Sequence, residues 1–305
     1  MASSPKDLTP GVIQPWVRRL FCGAFGRWLR FWHRPQMYGV ENLPSDRPFM
    51  IVANHSGGGI REVFVLAAAW IDLFDDAAPI AGFAHPAGFR FEPFNTLIRG
   101  LGCVPSSYEG ARTAAAAGTS LLVFPGGDHE AARPFWQASV VDFGGRKGFL
   151  KVAADAGLPV VPLRIHGSHL ATPILWRGGN LWATFFVTPR FLFGLKRYPV
   201  TLSGVAFAGG LAWLGFHTAL GAWGFALAYL WLALPFHVGW PSLPLTYRFQ
   251  FGRPIELSSL FGAGGVESLR VPHESAWRAG SPPSADALCR AYTRVVTALC
   301  SLRLP

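Results

Sequence analysis

Short apolar runs alternate along this sequence with segments of helical periodicity, and this alternation constrains the fold more than any other feature. Apolar runs that are bounded by turn residues and separated by helical patterns are typical of an α/β domain with a mostly parallel central sheet. The predicted strands run from Pro48 to Ala53, Pro79 to Phe83, Gly102 to Pro105, Ser120 to Phe124, Pro159 to Ile165, Leu245 to Phe251 and, more weakly, Trp182 to Val187.

The chain has 305 residues, of which 50% are apolar, so it has ample material for a core and is not intrinsically disordered. One α/β domain with additions is favoured over two small domains. Flanking helices are predicted to begin near Arg61, Pro93, Gly110, Arg146 and Ser284. The last of them has an apolar stripe at helical spacing, predicted to close the core, formed by Leu288, Tyr292, Val295, Leu299 and Leu302.

Residues 1–36 are predicted to form a basic, membrane-surface segment that precedes the main domain at 37–305. From Trp16 to Arg34 a single amphipathic helix is expected, with arginines opposite the apolar side. Such a helix is typical of the lipid interface, and the alternative is a terminal helix packed on the domain. The predicted apolar side contains Val17, Leu20, Phe21, Ala24, Trp28, Phe31 and Trp32.

A second apolar segment, at about residues 199–240, interrupts the domain as a helical insert. Between Arg197 and Arg248 there is no Asp, Glu, Lys or Arg, and 205–235 is long enough to cross a bilayer. Several glycines and tryptophans break this stretch. A transmembrane span, a membrane-dipping helical hairpin and an apolar lid therefore all remain open.

The formal net charge is +10 although only 14% of the residues are charged, which favours anionic membrane lipids or phosphate-bearing ligands as partners. Nucleic acid is disfavoured, because no zinc-finger spacing, basic heptad or RNA-binding aromatic signature occurs. The four cysteines are scattered, so no metal site is predicted. No secretory signal stands out at the N-terminus, and a membrane-associated location on the cytoplasmic face is expected.

The first candidate site follows a predicted buried strand, where Asn54-His55-Ser56-Gly57-Gly58-Gly59 leads into a helix. Ligands of α/β sheets bind at the carboxyl ends of strands. Histidine titrates near neutral pH, so His55 at this place can accept the proton of an alcohol, with Glu62 to orient it. The glycines let a substrate approach the backbone, and their amides can stabilise an oxyanion. His55 and Glu62 are the predicted catalytic residues.

The second candidate site also follows a predicted strand, at Phe124-Pro125-Gly126-Gly127-Asp128-His129-Glu130, with Arg133 close behind. Such a loop can bind headgroup oxygens, and the alternative is an ordinary turn between strand and helix. The chain has no Gly-x-Ser-x-Gly elbow, no P-loop and no dinucleotide-binding glycines, so no cofactor is predicted. His166 and His169, three residues apart without a neighbouring acid or cysteine, are interpreted as strand-end structure rather than metal ligands.

Four motifs in this order resemble the glycerolipid acyltransferase superfamily, and most closely its monoacylglycerol-acyltransferase-like branch. They are NHSGGG with a later acid, FPGGDHE, GRKGFLKVAADAGLPVVPLRIHG and FQFGRPIEL, within residues 39 to 302. The resemblance implies an O-acyltransferase in which His55 deprotonates the acceptor hydroxyl. That hydroxyl then attacks an acyl thioester of coenzyme A or of acyl carrier protein, which serves as cosubstrate. The acceptor is implied to be a glycerolipid or lysophospholipid.

Two positions depart from the family's usual pattern. The family's Asp, five residues after the histidine, is here Ile60, and the nearest acid is Glu62. Its Phe-Pro-Glu-Gly motif with a following Arg, which binds acceptor phosphate, here has Gly126 and His129 at the Glu and Arg positions. Glu130 matches the branch that resembles enzymes of neutral acylglycerols, which makes a neutral or zwitterionic acceptor credible.

The predicted substrate-binding residues come from both loops and from nearby cations. For the cations, including Arg99, solvated surface charge is the alternative. A catalytically silent lipid-binding protein is the rival function, and a hydrolase that passes the acyl group to water is a variant. The substrate-binding set is Asn54, Gly57, Gly58, Phe124, Pro125, Gly126, Gly127, Glu130, Arg133, Arg146 and Lys147.

Overall fold

The computed structural model describes residues 9–57, 59–90, 92–185, 197–234, 241–257 and 285–302. Within them a seven-stranded sheet has the order β1-β9-β6-β2-β5-β3-β4, and β7 pairs with β8 in a separate two-stranded sheet. The strands are β1 (Gln36–Tyr38), β2 (Met50–Ala53), β3 (Ile80–Ala84), β4 (Val104–Pro105), β5 (Ser120–Val123), β6 (Val160–His166), β7 (Ile174–Trp176), β8 (Val200–Thr201) and β9 (Arg248–Phe251).

The main sheet is parallel except where β9 runs antiparallel to β6. At its centre Met50 of β2 lies opposite Leu121 of β5 and Val160 of β6. Every residue of β2 and of β5 is buried, as expected for parallel strands that are covered on both faces. The predicted α/β fold with a mostly parallel sheet is confirmed.

Helices cover both faces of this sheet. They are α1 (Pro15–Cys22), α2 (Ala24–His33), α3 (Ile60–Phe74), α4 (Phe94–Gly100), α5 (Tyr108–Ala116), α6 (Gly127–Ala131), α7 (Gly148–Asp155), α8 (Ser168–Ala171), α9 (Asn180–Phe185), α10 (Leu202–His217), α11 (Ala222–Ala233) and α12 (Ala285–Ser301). Short 3-10 turns lie at Val40–Asn42, Pro86–Arg90 and Phe135–Gln137.

The core has two layers because successive side chains of a strand point to opposite faces. Met50 and Val52 face a layer that contains side chains of α5, α7 and α12. Ile51 and Ala53 face a layer formed with α1, α2 and α3. In α12, Val295 and Leu299 are fully buried, in agreement with the apolar stripe predicted there. The predicted start at Ser284 lies outside the described residues.

The basic N-terminal segment is two helices rather than the one predicted, because the chain becomes extended at Gly23, between α1 and α2. Val17, Phe21 and Leu29 are buried in the core layer beneath α3. Arg30 forms an ion pair with Asp72 of α3 at 3.1 Å. On this inner face the segment is a pair of helices packed on the domain, as the alternative prediction had it. On the outer face Phe31 is 77% exposed.

The apolar insert contains an antiparallel helical hairpin of α10 and α11. The two helices cross at Gly215 and Gly224, where a Cβ on Gly215 would lie only 2.9 Å from the Gly224 Cα. At the base, the Tyr198 hydroxyl donates to the carbonyls of Leu232 and Leu234 at 2.7 and 3.0 Å. None of the helices in the described ranges combines the length and the apolar character needed to span a bilayer.

One predicted strand is wrong. The stretch from Trp182 is helical as far as Phe185, within α9, and residues 186–187 lie outside the described ranges. Periodicity does not separate a short apolar strand from a short buried helix, which explains the error. The strands β1, β7 and β8 have two or three residues each and leave no apolar run in the sequence that a pattern could detect.

Candidate active site

His55 lies at the carboxyl edge of the sheet, two residues beyond the end of β2. The side chain of the intervening Asn54 is buried and pairs with the backbone of Ile165 in β6. Its Oδ1 accepts from the Ile165 N–H at 2.7 Å and its Nδ2 donates to the Ile165 carbonyl at 3.1 Å. This double hydrogen bond fixes the start of the loop on the neighbouring strand, so that His55 leaves the sheet in a defined direction.

Glu62 contacts Nδ1 of His55 with its Oε1. The chain turns sharply between the two residues, because Gly57 and Gly59 have φ values of 54° and 83°, which glycine alone adopts at low cost. Glu62 is in the first turn of α3 and its side chain is fully buried. Since a carboxylate only accepts, Nδ1 carries the hydrogen of this bond, and Nε2 is then the basic nitrogen of the neutral ring.

Ser56 supplies two further hydrogen bonds to the Glu62 carboxylate. Its backbone N–H donates to Oε1 at 2.9 Å and its hydroxyl donates to Oε2 at 2.7 Å. An acidic side chain in the first helical turn commonly reaches back to preceding backbone N–H groups. These bonds compensate the burial of the carboxylate, which would otherwise be costly.

The basic Nε2 of His55 faces the glycine loop. A Cβ on Gly59 would lie 2.4 Å from this nitrogen, so only glycine leaves room beside it. On the other side the ring of Phe124, the residue after β5, stacks on the imidazole with ring centroids 4.3 Å apart. The side chain of His55 remains 15% exposed. The arrangement fixes the plane of a base that is still open to solvent.

Glu130 joins the second predicted loop to the first. It is fully buried in α6, where its Oε2 accepts from the His55 N–H at 3.0 Å and its Oε1 from the Asp142 N–H at 3.2 Å. Burial raises the pKa of Glu130 to about 8, against the opposing effect of Arg133, whose guanidinium lies 3.6 Å away. Glu130 therefore holds the backbone at His55.

Arg133 and His169 are buried close to this centre. Arg133 is 1% exposed, and burial lowers its pKa. No nitrogen of its side chain has a hydrogen-bond partner among the described residues. The pKa of His169 is lowered to about 3, first by burial and then by Arg133, Arg164 and His55, so this imidazole is neutral at neutral pH. In the described part of the chain, no three potential ligands group around a metal position.

The other predicted cations make local contacts. Arg146 donates to the Gly126 carbonyl at 2.7 Å and pairs with Asp128 at 2.8 Å, so it braces the second loop. Asp128 also pairs with Arg197, at the base of the apolar insert, at 3.1 Å. Lys147 approaches the Cys289 sulfur of α12 at 2.8 Å, and Arg99 donates to Asn95 at 2.6 Å.

The structure brings together most of the residues predicted for the site, whereas Gly58 lies outside the described residues and Lys147 and Arg99 contact other elements. Sequence reasoning missed Ser56, Ser168 and His169. Ser56 lies in the first loop itself. Ser168 and His169 could have been found from position, because β6 neighbours β2 in parallel and the turn after β6 must reach the same edge of the sheet. The residues brought together are Asn54, His55, Gly57, Glu62, Phe124, Gly126 and Glu130. Pro125 and Gly127 continue the same loop beside Arg146.

Comparison with known proteins gives one family model, described as Acyltransferase, which matches residues 34–166. An uncharacterized protein of Mycobacterium leprae is 27% identical over 190 residues, which are 62% of this chain and 47% of that protein. An uncharacterized protein of Mycobacterium tuberculosis has the same identity over 190 residues, 62% of this chain and 49% of its own length. The matched part thus spans about half the length of these relatives.

A third relative, the DGAT1/2-independent enzyme synthesizing storage lipids of Gallus gallus, is 29% identical over 134 residues, 44% of this chain and 39% of that enzyme. Among solved structures, a 1-acyl-sn-glycerophosphate (LPA) acyltransferase, PlsC, from Thermotoga maritima is 16% identical. It aligns with 95% of this chain and 80% of its own, at a TM-score of 0.46. Over residues 34–166 the family match confirms the resemblance to acyltransferases that the motifs indicated.

Proposed function

We propose that this chain, whose residues 34–166 match the acyltransferase family model, transfers a fatty acyl chain from a thioester to a hydroxyl of a glycerolipid or lysophospholipid. The carrying observation is the contact of His55 Nδ1 with the buried Glu62 carboxylate. This contact holds the imidazole ring of His55 in one orientation and leaves its Nε2 as the proton acceptor. The donor is acyl-CoA or acyl carrier protein, and no cofactor takes part.

The reaction moves one proton in two transfers, first to His55 Nε2 and then from it. The acceptor hydroxyl gives its proton to Nε2 while its oxygen attacks the thioester carbonyl, and Glu62 stabilises the imidazolium that forms. The backbone amide of Gly57 stabilises the oxyanion, whereas the Gly59 N–H is occupied because it donates to the Ser56 carbonyl at 2.8 Å. The intermediate then expels the thiolate, which takes the proton from Nε2. The products are an ester and a free thiol, and His55 returns to its starting state.

The acceptor class follows from the second loop. Glu130 accepts two backbone N–H groups and is fully buried, and Arg146 is engaged with Gly126 and Asp128. Arg133, the other cation of this site, is 1% exposed and lies 3.6 Å from Glu130. Neither arginine is both exposed and unpaired, which favours a neutral or zwitterionic acceptor over a phosphomonoester. The name of the avian relative, an enzyme synthesizing storage lipids, supports the same class.

Membrane association is part of this proposal and is supported by the apolar hairpin. Phe216 and Trp223, beside the turn between α10 and α11, are 78% and 73% exposed. Exposed apolar surface of this kind is typical of membrane-binding sites. The hairpin would enter one leaflet and bring the catalytic domain to its lipid acceptor.

The rival function is a catalytically silent lipid-binding protein. It is motivated by the acid missing at position 60 and by the altered second loop, with Gly126 and His129 in place of the family's Glu and Arg. The contact of Glu62 with His55 Nδ1 supports the enzyme on the first of these two points.

Purified protein should be incubated with acyl-CoA and micellar acceptors: monoacylglycerol, diacylglycerol, lysophosphatidylcholine and lysophosphatidic acid. Thiol release and lipid products are measured together. We expect thiol and ester to form in equal amounts with a neutral or zwitterionic acceptor. His55→Ala should lose this activity while Thr113→Ala, on the exposed face of α5, keeps it. Equal ester formation by His55→Ala contradicts the mechanism, and free fatty acid without ester indicates a hydrolase.

A further inference from the structure

The turn after β6, dismissed from sequence as strand-end structure, packs directly beneath the glycine loop. Gly167 begins it with a φ of 91° and Ser168 follows. A Cβ on Gly57 would lie 2.7 Å from the Ser168 carbonyl oxygen. The two loops are thus in close backbone contact, and the side chain of Ser168 meets that of Ser56.

The direction of the hydrogen bonds between these residues can be worked out. The hydroxyl of Ser56 has one hydrogen, and it is donated to Glu62 Oε2 at 2.7 Å. In the contact between the Ser56 and Ser168 hydroxyls, Ser168 is therefore the donor. A single ordered chain runs from Ser168 through Ser56 and Glu62 to His55 Nδ1.

This chain of hydrogen bonds is buried, so the removal of one side chain from it is not compensated by solvent. Ser56 is 1% exposed, Ser168 is 2% exposed and the Glu62 side chain is fully buried. Water from bulk solvent cannot readily replace a missing hydroxyl there, and an unmatched carboxylate oxygen in such a place is costly. The orientation of Glu62 is correspondingly sensitive to the rotamer of Ser56.

We propose that Ser56 and Ser168 are positioning residues that hold the Glu62 carboxylate against His55. The inference rests on the proposed function. Glu62 is seven residues from His55, across a loop whose glycines supply no side chains to orient it. Ser56 fixes both carboxylate oxygens, one through its N–H and one through its hydroxyl, and Ser168 fixes the Ser56 hydroxyl. In this proposal both serines act through Glu62.

The test compares Ser56→Ala, Ser168→Ala and the double variant with Thr172→Val. Thr172 lies in the same turn, is 1% exposed, and its hydroxyl has no hydrogen-bond partner among the described residues, so it is a matched control. We expect Ser56→Ala to lower kcat about tenfold, the value of one hydrogen bond to a charged group, with little change in KM. Ser168→Ala, which removes a hydrogen bond to the neutral Ser56 hydroxyl, should lower kcat by about three- to fivefold. The double variant should lose no more than the worse single one, and Thr172→Val should keep the wild-type kcat.

A second readout does not depend on activity. The proton on His55 Nδ1 is followed by NMR in histidine-labelled protein, with the thermal midpoint as a check on folding. We expect its resonance to shift and its solvent exchange to quicken in Ser56→Ala and Ser168→Ala only. Wild-type kcat in Ser168→Ala, or an equal loss in Thr172→Val, overturns the proposal. If the wild type transfers no acyl group, the proposed function fails, and an unaltered resonance in both serine variants separately overturns the positioning role.

Discussion

Glu130 illustrates how a residue near a reaction centre can act through the backbone. Sequence reasoning assigned it to substrate binding, and that role stays a prediction. Its described contacts are with the His55 and Asp142 N–H groups and with Arg133, and the side chains of Glu130 and Arg133 are both buried. A carboxyl group in this position couples the geometry of the His55 loop to its own protonation state.

The raised pKa of Glu130 predicts a pH-dependent stability. The unfolded chain releases this proton near pH 4.5 and the folded chain near pH 8, so between these values the folded state binds more protons. The free energy of unfolding therefore falls as the pH rises through this window. Glu130→Gln should remove this part of the decline, which urea unfolding at pH 5 and pH 8 measures. An identical pH dependence in both proteins would contradict this assignment.

At the residue scale, the sequence predicted the groups with a chemical signature and missed those that support them. His55 and Glu62 follow a strand and lie on either side of a glycine loop, which is a readable pattern. Ser168 and His169 are distant in sequence and reach the site only because β6 pairs with β2. Local patterns do not determine which distant strands become neighbours, so such partners can be identified only from the fold.

The glycine loop between β2 and α3 is the element that determines the site. It reverses the chain so that the first turn of α3 returns Glu62 to His55. Gly59 has a second constraint besides its φ of 83°, because its missing side chain leaves space at His55 Nε2.

Gly59→Ala should separate these two constraints when it is compared with Gly118→Ala. Gly118 also has a positive φ, 66°, but a Cβ there would meet no atom within 4 Å. Both variants should lose about 1–2 kcal/mol of unfolding free energy through backbone strain. Only Gly59→Ala should also lose acyl transfer, since its methyl group displaces His55. Equal activity of the two variants in the thiol-release assay would argue against this role of the loop.

Elements with four or more consecutive apolar residues were predicted well, because buried parallel strands require such runs. The errors occurred where local pattern is ambiguous. The segment from Trp182 forms a helix rather than a strand, and the helix expected from Trp16 to Arg34 is divided at Gly23. The helical periodicity of the sequence continues through Gly23, so it did not indicate that the backbone is extended at this residue.

For the whole molecule, the proposal places an apolar hairpin in lipid beside a catalytic domain. Asp128 connects the two, since it pairs with Arg146 in the site and with Arg197 at the base of the insert. The net charge of +10 would add attraction to anionic lipids. The contributions of apolar contact and of charge to membrane binding can be measured separately, because vesicles of zwitterionic lipid report only on apolar contact.

Phe216→Ser together with Trp223→Ser should weaken binding to phosphatidylcholine vesicles by roughly tenfold or more, because two large apolar side chains lose their burial in lipid. The matched control is Leu73→Ser with Tyr108→Ser, whose side chains are 51% and 50% exposed on other helices. Cosedimentation measures the bound fraction. Equal binding of the two double variants would show that the hairpin tip is not the membrane contact.

The account depends most on His55 and Glu62 acting as one unit, and a double-mutant cycle on kcat/KM measures this directly. His55→Ala should lower kcat/KM by about 10²- to 10⁴-fold, the usual contribution of a general base. Glu62→Gln should also be strongly impaired, and the double variant should be no worse than His55→Ala, because Glu62 acts only through the imidazole. Losses that simply multiply, or wild-type kcat/KM in Glu62→Gln, would contradict the account.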